Sequence, residues 1–264
     1  SGVVAANVTG VGTARRSLAA SSYGGDKAFF AFGNSGGSTK VNTKNLVNNS
    51  GVVGADVSGV GTARQNLASA SYGGDKAIVA YGNSGSLSNL SNLVSNSGVV
   101  ATDTTGVGTA RADMAGVKYG SDKAIFAYGY SNQNLSLSNL VTSLGVVGTD
   151  VSGVGTARET QAAPYGVDTA AAAYGQGDSG YLNVKNLINN SGVVGADVSG
   201  VGTARYGVGS AGYGGDKGIF AYGATGSILS MSNLMNNVGV IAADVSGVGT
   251  ARRYGVAAGF SYSA

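Results

Sequence analysis

The stretch "DVSGVGTARQ" (Asp56–Gln65) decides how this chain is read. Taken once, it has the makings of a phosphate loop: two close glycines, a threonine, then an arginine. A phosphate loop, however, needs a strand before it and a helix behind it, whose N-terminus supplies the N–H groups and the dipole. No apolar stripe at helical spacing follows this stretch or any of its copies. VGTAR instead occurs six times, ending at Arg15, Arg64, Arg111, Arg158, Arg205 and Arg252. The intervals are 49, 47, 47, 47 and 47 residues. Internal repetition at such a period is the mark of an array of identical supersecondary units.

Two further landmarks keep the period. Asn-Leu recurs at Asn45, Asn92, Asn139, Asn186 and Asn233. An aromatic-glycine pair closes an apolar run at Phe32-Gly33, Tyr81-Gly82, Tyr128-Gly129, Tyr174-Gly175 and Tyr222-Gly223. The two extra residues of the first interval fall in the polar loop "NSGGSTKVNTK" (Asn34–Lys44), where length is free to vary. Within each unit a first strand follows the arginine and "GGDK" makes a tight turn, glycine tolerating positive φ and aspartate bonding its own backbone. "KAIVAYG" is then the most apolar strand, "SNLVSNS" holds the third, and "GVVATDTTG" and its equivalents hold the fourth. The units are residues 16–64, 65–111, 112–158, 159–205 and 206–252. A partial repeat (1–15) precedes them, and a partial strand (253–264) follows.

Four short strands per unit predict an all-β chain. A sheet of that size cannot bury both faces alone, and stacking about an axis yields a β-propeller with about 40–50 residues per blade. Five full units predict a five-bladed β-propeller of four-stranded repeats, its spare terminal strands capping an edge or reaching a neighbouring chain. A six-bladed propeller requires one blade without its most apolar strand, and an open β-solenoid is the other rival.

Composition narrows the chemistry. Apolar residues make up 43% of the chain, but there is no Cys, His or Trp. Thiolate metal sites, imidazole ligands and the usual general acid/base are therefore absent, and no cofactor is expected. A net charge of +3 with 11% charged residues is too dilute for a nucleic-acid footprint. No apolar run approaches the roughly 20 residues of a membrane-spanning helix, so membrane insertion is not expected either.

The unit from Ala204 to Arg252, "ARYGVGSAGYGGDKGIFAYGATGSILSMSNLMNNVGVIAADVSGVGTAR", resembles a kelch-type propeller repeat. It has an arginine before the first strand, small residues within it, and an apolar second strand ending in glycine. It departs from the kelch pattern in a single rather than double glycine and in lacking the outer-strand tryptophan. The near-identical "GVVGADVSGVGTAR" and "YGSDKAIFAYG" elements are also similar to repeats in structural proteins of marine and freshwater phages. That resemblance implies a virion or extracellular surface as the setting, and other structural proteins or further copies of the chain as partners.

Candidate residues follow from the repeats. Asp56, Asp103, Asp150, Asp197 and Asp244 each precede an arginine by eight residues, which predicts a structural ring of local Asp–Arg pairs. The "GGDK" aspartates have one carboxylate per turn, too few for calcium. The recurring aromatics are read as wedges between blades. The loops after the aromatic-glycine pairs differ between otherwise similar units, and specificity is carried in such places. Their candidate partner-contacting residues are Asn34, Lys40, Asn83, Tyr130, Asn132, Asp178, Tyr181 and Thr225. Glu159, Asp113 and Asp178, the only carboxylates outside the repeated positions, form no recognisable pair in sequence, and no enzyme activity is expected. A non-enzymatic display or assembly protein is the first functional reading. A multivalent carbohydrate-binding propeller is the alternative, with surface glycans as its ligands.

Overall fold

A computed structural model describes residues 4–260; the last four residues of the expected terminal strand lie outside that range. The described residues contain fifteen strands and no helix. They form five antiparallel sheets of three strands, each sheet drawn from one repeat. The first comprises β1 (Ala19–Tyr23), β2 (Lys27–Ala31) and β3 (Lys44–Val47), and the second β4 (Ala68–Tyr72), β5 (Lys76–Ala80) and β6 (Ser91–Val94). The third comprises β7 (Ala115–Tyr119), β8 (Lys123–Ala127) and β9 (Ser138–Val141). The fourth, β10 (Glu159–Tyr165), β11 (Thr169–Gly177) and β12 (Gly180–Ile188), has longer strands. The fifth comprises β13 (Gly209–Tyr213), β14 (Lys217–Ala221) and β15 (Ser232–Met235).

The expected fourth strand does not form as a strand. Its valines make isolated bridges to the third strand, such as Val47 with Val53 and Lys44 with Val57. Glycine occurs within or beside these segments and weakens continuous pairing, so contact is kept only at alternate points. In the "GGD" turns, Gly24 and Gly25 take φ of 61° and 81°, and Tyr23 pairs with Lys27 across the turn. That conformation costs glycine nothing.

Apolar packing lies between sheets. One buried cluster joins Ala70, Tyr72, Ile78 and Tyr81 of the second repeat to Met114, Phe126 and Val141 of the third. The small alternating residues of the first strands, such as Ala-Ala-Ser-Ser-Tyr in β1, let consecutive sheets approach closely. Ser69 and Ser71 of β4 donate to the carbonyls of Ala20 and Ser22 in β1.

The two ends of the chain meet through the same contacts that join consecutive repeats. The residue two after each VGTAR arginine donates its N–H to the carbonyl of its predecessor. Asn66 thus bonds to Ser17, Asp113 to Asn66, Thr160 to Asp113, Tyr254 to Gly207, and Ser17 to Tyr254. The one step without this bond among the described residues, Gly207 to Thr160, falls at the register shift between Glu159 and Gln161. Threonine hydroxyls make a second series. Thr13 donates to Asp56, Thr62 to Asp103, Thr109 to Asp150, Thr156 to Asp197, and Thr203 to Asp244. The sixth threonine, Thr250, accepts from Asn7, which stands where the other copies have aspartate. Residues 253–260 run between β13 and β1. Ser22 donates to the Gly259 carbonyl there, and a Cβ on Gly259 would lie 2.9 Å from the carbonyl oxygen of Gly212.

The close approach of the VSGVG segments to the neighbouring loop is specific to glycine. A Cβ on Gly106 would lie 2.0 Å from the Asn89 carbonyl oxygen, whereas a Cβ on Gly10, its counterpart in the first copy, meets nothing within 4 Å. Gly106→Ala is expected to lower stability by about 1–3 kcal/mol, the range for overpacking. Gly10→Ala is expected to leave stability within about 0.5 kcal/mol. Urea denaturation of the two variants checks the pair.

Candidate functional site

The arginines of VGTAR are the joints between repeats. Arg64, Arg111, Arg158 and Arg205 have no exposed surface, which makes them the largest fully buried side chains. Each guanidinium lies over the aromatic ring of its own repeat: Arg111 over Tyr81 at 4.4 Å, Arg158 over Tyr128 at 4.3 Å, Arg205 over Tyr174 at 4.2 Å. Most of its N–H groups turn the other way, into the following repeat. Arg158 donates from Nε to the Tyr174 carbonyl, from Nη1 to the Thr156 carbonyl and from Nη2 to Asn186 Oδ1. The recurring asparagine presents its amide oxygen to the guanidinium at Asn45, Asn92, Asn186 and Asn233, whereas Asn139 Oδ1 accepts no hydrogen bond. Burial lowers the Arg158 guanidinium from its usual range, and the phenol of Tyr128 and the carboxylate of Asp197 oppose that shift.

The aromatics pay a conformational toll for this arrangement. Phe32, Tyr81, Tyr128, Tyr174 and Tyr222 all have φ between 62° and 65°. The left-handed turn is uncommon for such residues and ends the apolar strand. It leaves the carbonyl of Tyr128 facing Arg111 Nε at 2.9 Å and that of Tyr174 facing Arg158 Nε. Four of these rings, Phe32, Tyr81, Tyr128 and Tyr174, are fully buried, so they offer no face to a sugar.

The Asp–Arg pairing differs from the local one that the eight-residue spacing predicts. Arg64 meets Asp103 at 3.4 Å and Arg205 meets Asp244 at 3.8 Å, each the aspartate of the following sheet. Asp56 faces Arg15, not Arg64, and its carboxylate is held low mainly by Thr13 and Asn45. Asp56 and Arg64 belong to consecutive joints, Asp56 taking Thr13 beside Arg15 and Arg64 meeting Asp103. Asp150 and Asp197 likewise take the Thr109 and Thr156 hydroxyls.

Arg15 and Arg252, at the meeting of the chain ends, are less enclosed. Arg15 is half-buried and donates to the Thr43 carbonyl. Arg252 is exposed; it lies over Tyr222 at 4.6 Å and donates to Asn7.

The non-repeated residues gather beside the backbone series of Ser17, Asn66, Asp113 and Tyr254. Asp113 takes both its oxygens to Asn66 Nδ2 at 2.7 Å. Burial pushes Asp113 up to about 6. Burial, and next the nearby Asp113, push Glu159 up to about 7. Tyr181, Tyr206 and Tyr254 pack alongside, Tyr181 on Tyr206 with centroids 4.9 Å apart and planes 15° from parallel. Arg253 lies over both Tyr206 and Tyr254. Tyr254 is raised to about 12, by burial first and then by Tyr206, Glu159 and Asp113. Sequence reasoning left Asp113 and Glu159 unpaired. Their separation of 46 residues, one less than the period, was the signal that they face each other across a joint.

The candidate loop residues are placed unevenly. Asn34 is buried; its Oδ1 caps Gly36 and its Nδ2 reaches Gln65, and it bridges Lys40. Asn83 caps Gly85 in the same way. Asp178 accepts from Asn134 of the preceding repeat. Thr225 bonds Ser227 within its own turn. Asn132 takes φ of 61° in an exposed turn. Tyr130 and Tyr181 keep 39% and 40% of their surface exposed, so of these residues the two tyrosines best present an apolar face. Among the described residues no cluster of three or more carboxylates, the only metal-ligating type of that kind in this chain, is placed to hold a metal ion. At the GGDK end of the sheets, the first strands of all five sheets and Ala257–Phe260 line a cavity of about 410 Å³. Its lining includes Ser22, Ser71, Lys118 and Pro164. No protein-family model matches the chain, and no curated protein matches it.

Two measurements check this description. Replacing Arg158 by Met strands three buried acceptors, and the loss is expected to reach about 3 kcal/mol. The same change at Arg252 is expected to cost under about 1 kcal/mol; thermal unfolding compares them. The second concerns pH. Asp113 and Glu159 bind protons more tightly folded than unfolded, so their contribution favours folding below about pH 4 and is lost as pH rises to about 7. The double variant Asp113→Asn, Glu159→Gln should therefore melt above the parent at pH 8 and coincide with it near pH 4.

Proposed function

We propose that this chain is a non-enzymatic scaffold: a propeller-type ring of six positions, five filled by a sheet, that displays its non-repeated mouth on a virion or other extracellular assembly. One observation carries the reading. The arginine, threonine, asparagine and aspartate that recur in every repeat are consumed by the joints, most of them by one another. Repetition thus serves rigidity, and variation is left to the loops and the mouth. Six positions are preferred over five because the threonine series has six members and returns to Asn7. The similarity of the repeats to phage structural proteins supplies the setting. Other structural proteins of the assembly, or further copies of the chain, are the partners this role requires.

A second reading has its own observation. Tyr181 keeps an exposed aromatic face and stacks on Tyr206, which contacts Tyr254 near Glu159 and Asp113, and an exposed ring with polar groups at hand is the usual make-up of a sugar site. It would provide one site, not five equivalent ones. A glycan array on the full chain separates the two. The scaffold reading predicts silence across the array. Binding to a defined glycan that Tyr181→Ala removes would overturn it in favour of a lectin.

A further inference from the structure

In a repeat protein the residues that break the pattern are the ones free to carry a ligand. The last five residues of the first strands are mostly small: β1 reads Ala-Ala-Ser-Ser-Tyr, β4 Ala-Ser-Ala-Ser-Tyr and β13 Gly-Ser-Ala-Gly-Tyr. Two long polar side chains interrupt them. Lys118 of β7 stands one residue before its tyrosine, where the other three have Ser22, Ser71 and Gly212. Gln161 of β10 stands four residues before its tyrosine, where they have Ala19, Ala68 and Gly209.

Both line one continuous space. Lys118 lines the cavity of about 410 Å³ at the GGDK end, and Gln161 lines a recess of about 40 Å³. The two share Ala20, Ser69, Gly116, Ala162 and Ser210 as walls, so the recess continues the cavity inward. The other charged residues of the lining pair off, Lys76 with Asp75 at 2.9 Å and Lys217 with Asp216 at 2.6 Å. Among the described residues neither the Lys118 ammonium nor the Gln161 amide has a hydrogen-bond or ion-pair partner; only the Gln161 backbone carbonyl is engaged, by the Thr160 hydroxyl. The wall hydroxyls point their protons elsewhere. Ser69 donates to the Ala20 carbonyl, Ser71 to Ser22, Ser210 to Ala162 and Ser22 to Gly259. Their oxygens remain free to accept.

We propose that this cavity binds a small open-chain hydroxycarboxylate. One unpaired ammonium calls for one carboxylate, which Lys118 holds by charge-assisted hydrogen bonds. Wall oxygens that only accept call for ligand hydroxyls, and the Gln161 amide, both donor and acceptor, takes the hydroxyl at the far end. Lys118 and Gln161 differ by three residues in depth along their strands, about 10 Å at the strand rise. That span matches an extended acid of about six carbon atoms with a hydrogen bond at each end better than a single sugar ring. The volume is of the size that holds a small molecule. The inference goes beyond the scaffold reading and does not rest on it, because neither Lys118 nor Gln161 takes part in a joint.

The test is isothermal titration calorimetry of the full chain with gluconate, which should bind saturably and one to one. Glucitol keeps the hydroxyls without the charge, and hexanoate keeps the charge without the hydroxyls; each should bind at least tenfold more weakly. Lys118→Ser and Gln161→Ala install the small residues that β1 and β4 carry at these positions, so melting should be unchanged. Each should weaken gluconate at least tenfold, and Lys118→Arg should retain more affinity than Lys118→Ser. Absence of saturable gluconate binding overturns the proposal, as does binding that survives Lys118→Ser or that glucitol or hexanoate equals. Methyl glucuronide binding more tightly than gluconate also overturns it, making the occupant the acidic end of a glycan. The scaffold reading is tested separately by the Tyr181-dependent array signal, and failure of gluconate to bind leaves that reading standing.

Discussion

A buried guanidinium clamped between repeats is the interaction on which the rest of this structure depends. An arginine withdrawn from water is tolerable only when its charge is compensated and its N–H groups are satisfied. Each repeat meets one half of that demand for its neighbour. The aromatic of one unit faces the cation, and the carbonyls and asparagine of the next accept its protons. Neither half is useful without the other. Each unit therefore requires the next, and the repeat persists as a chain of mutual obligations.

This constraint explains features that otherwise look arbitrary. The aromatics adopt a left-handed turn because only then does the apolar strand stop with its carbonyl beside the arginine. Glycine follows because the next N–H must reach the carbonyl of the succeeding arginine, as Gly82 does with Arg111. The Asp–Thr pair pins the outer end of the same joint. At Arg15 and Arg252 burial falls, and beside Arg252 Asn7 stands where the other copies have aspartate. The one place with distinct chemistry, Asp113, Glu159 and the tyrosines around Arg253, lies just past the arginines, where the joint makes no demand on side-chain identity.

Much of this was legible in the residues alone. The 47-residue period, the all-β character, the "GGDK" hairpins and the scaffolding role of VGTAR all follow from local patterns. The partner of each arginine did not, because spacing within a repeat suggests Asp56 for Arg64 whereas packing brings Asp103 from the next sheet. The fourth strand was over-read from its valines, since the glycines among them reduce it to two bridges. Asn7 was invisible as a surrogate aspartate until Thr250 lay against it, 243 residues away. The acid pair escaped for the same reason: a contact across a joint leaves only a near-period spacing behind.

Arginine side-chain NMR tests the central claim most directly. Hydrogen exchange at the Nε–H groups reports the enclosure of each guanidinium without altering the protein. The account predicts slow exchange at Arg111, Arg158 and Arg205, whose Nε–H groups are bonded to buried carbonyls, and fast exchange at the exposed Arg252 and Arg253. Uniformly fast exchange across all of them would contradict it, because the repeats would then be held together by something other than their arginines.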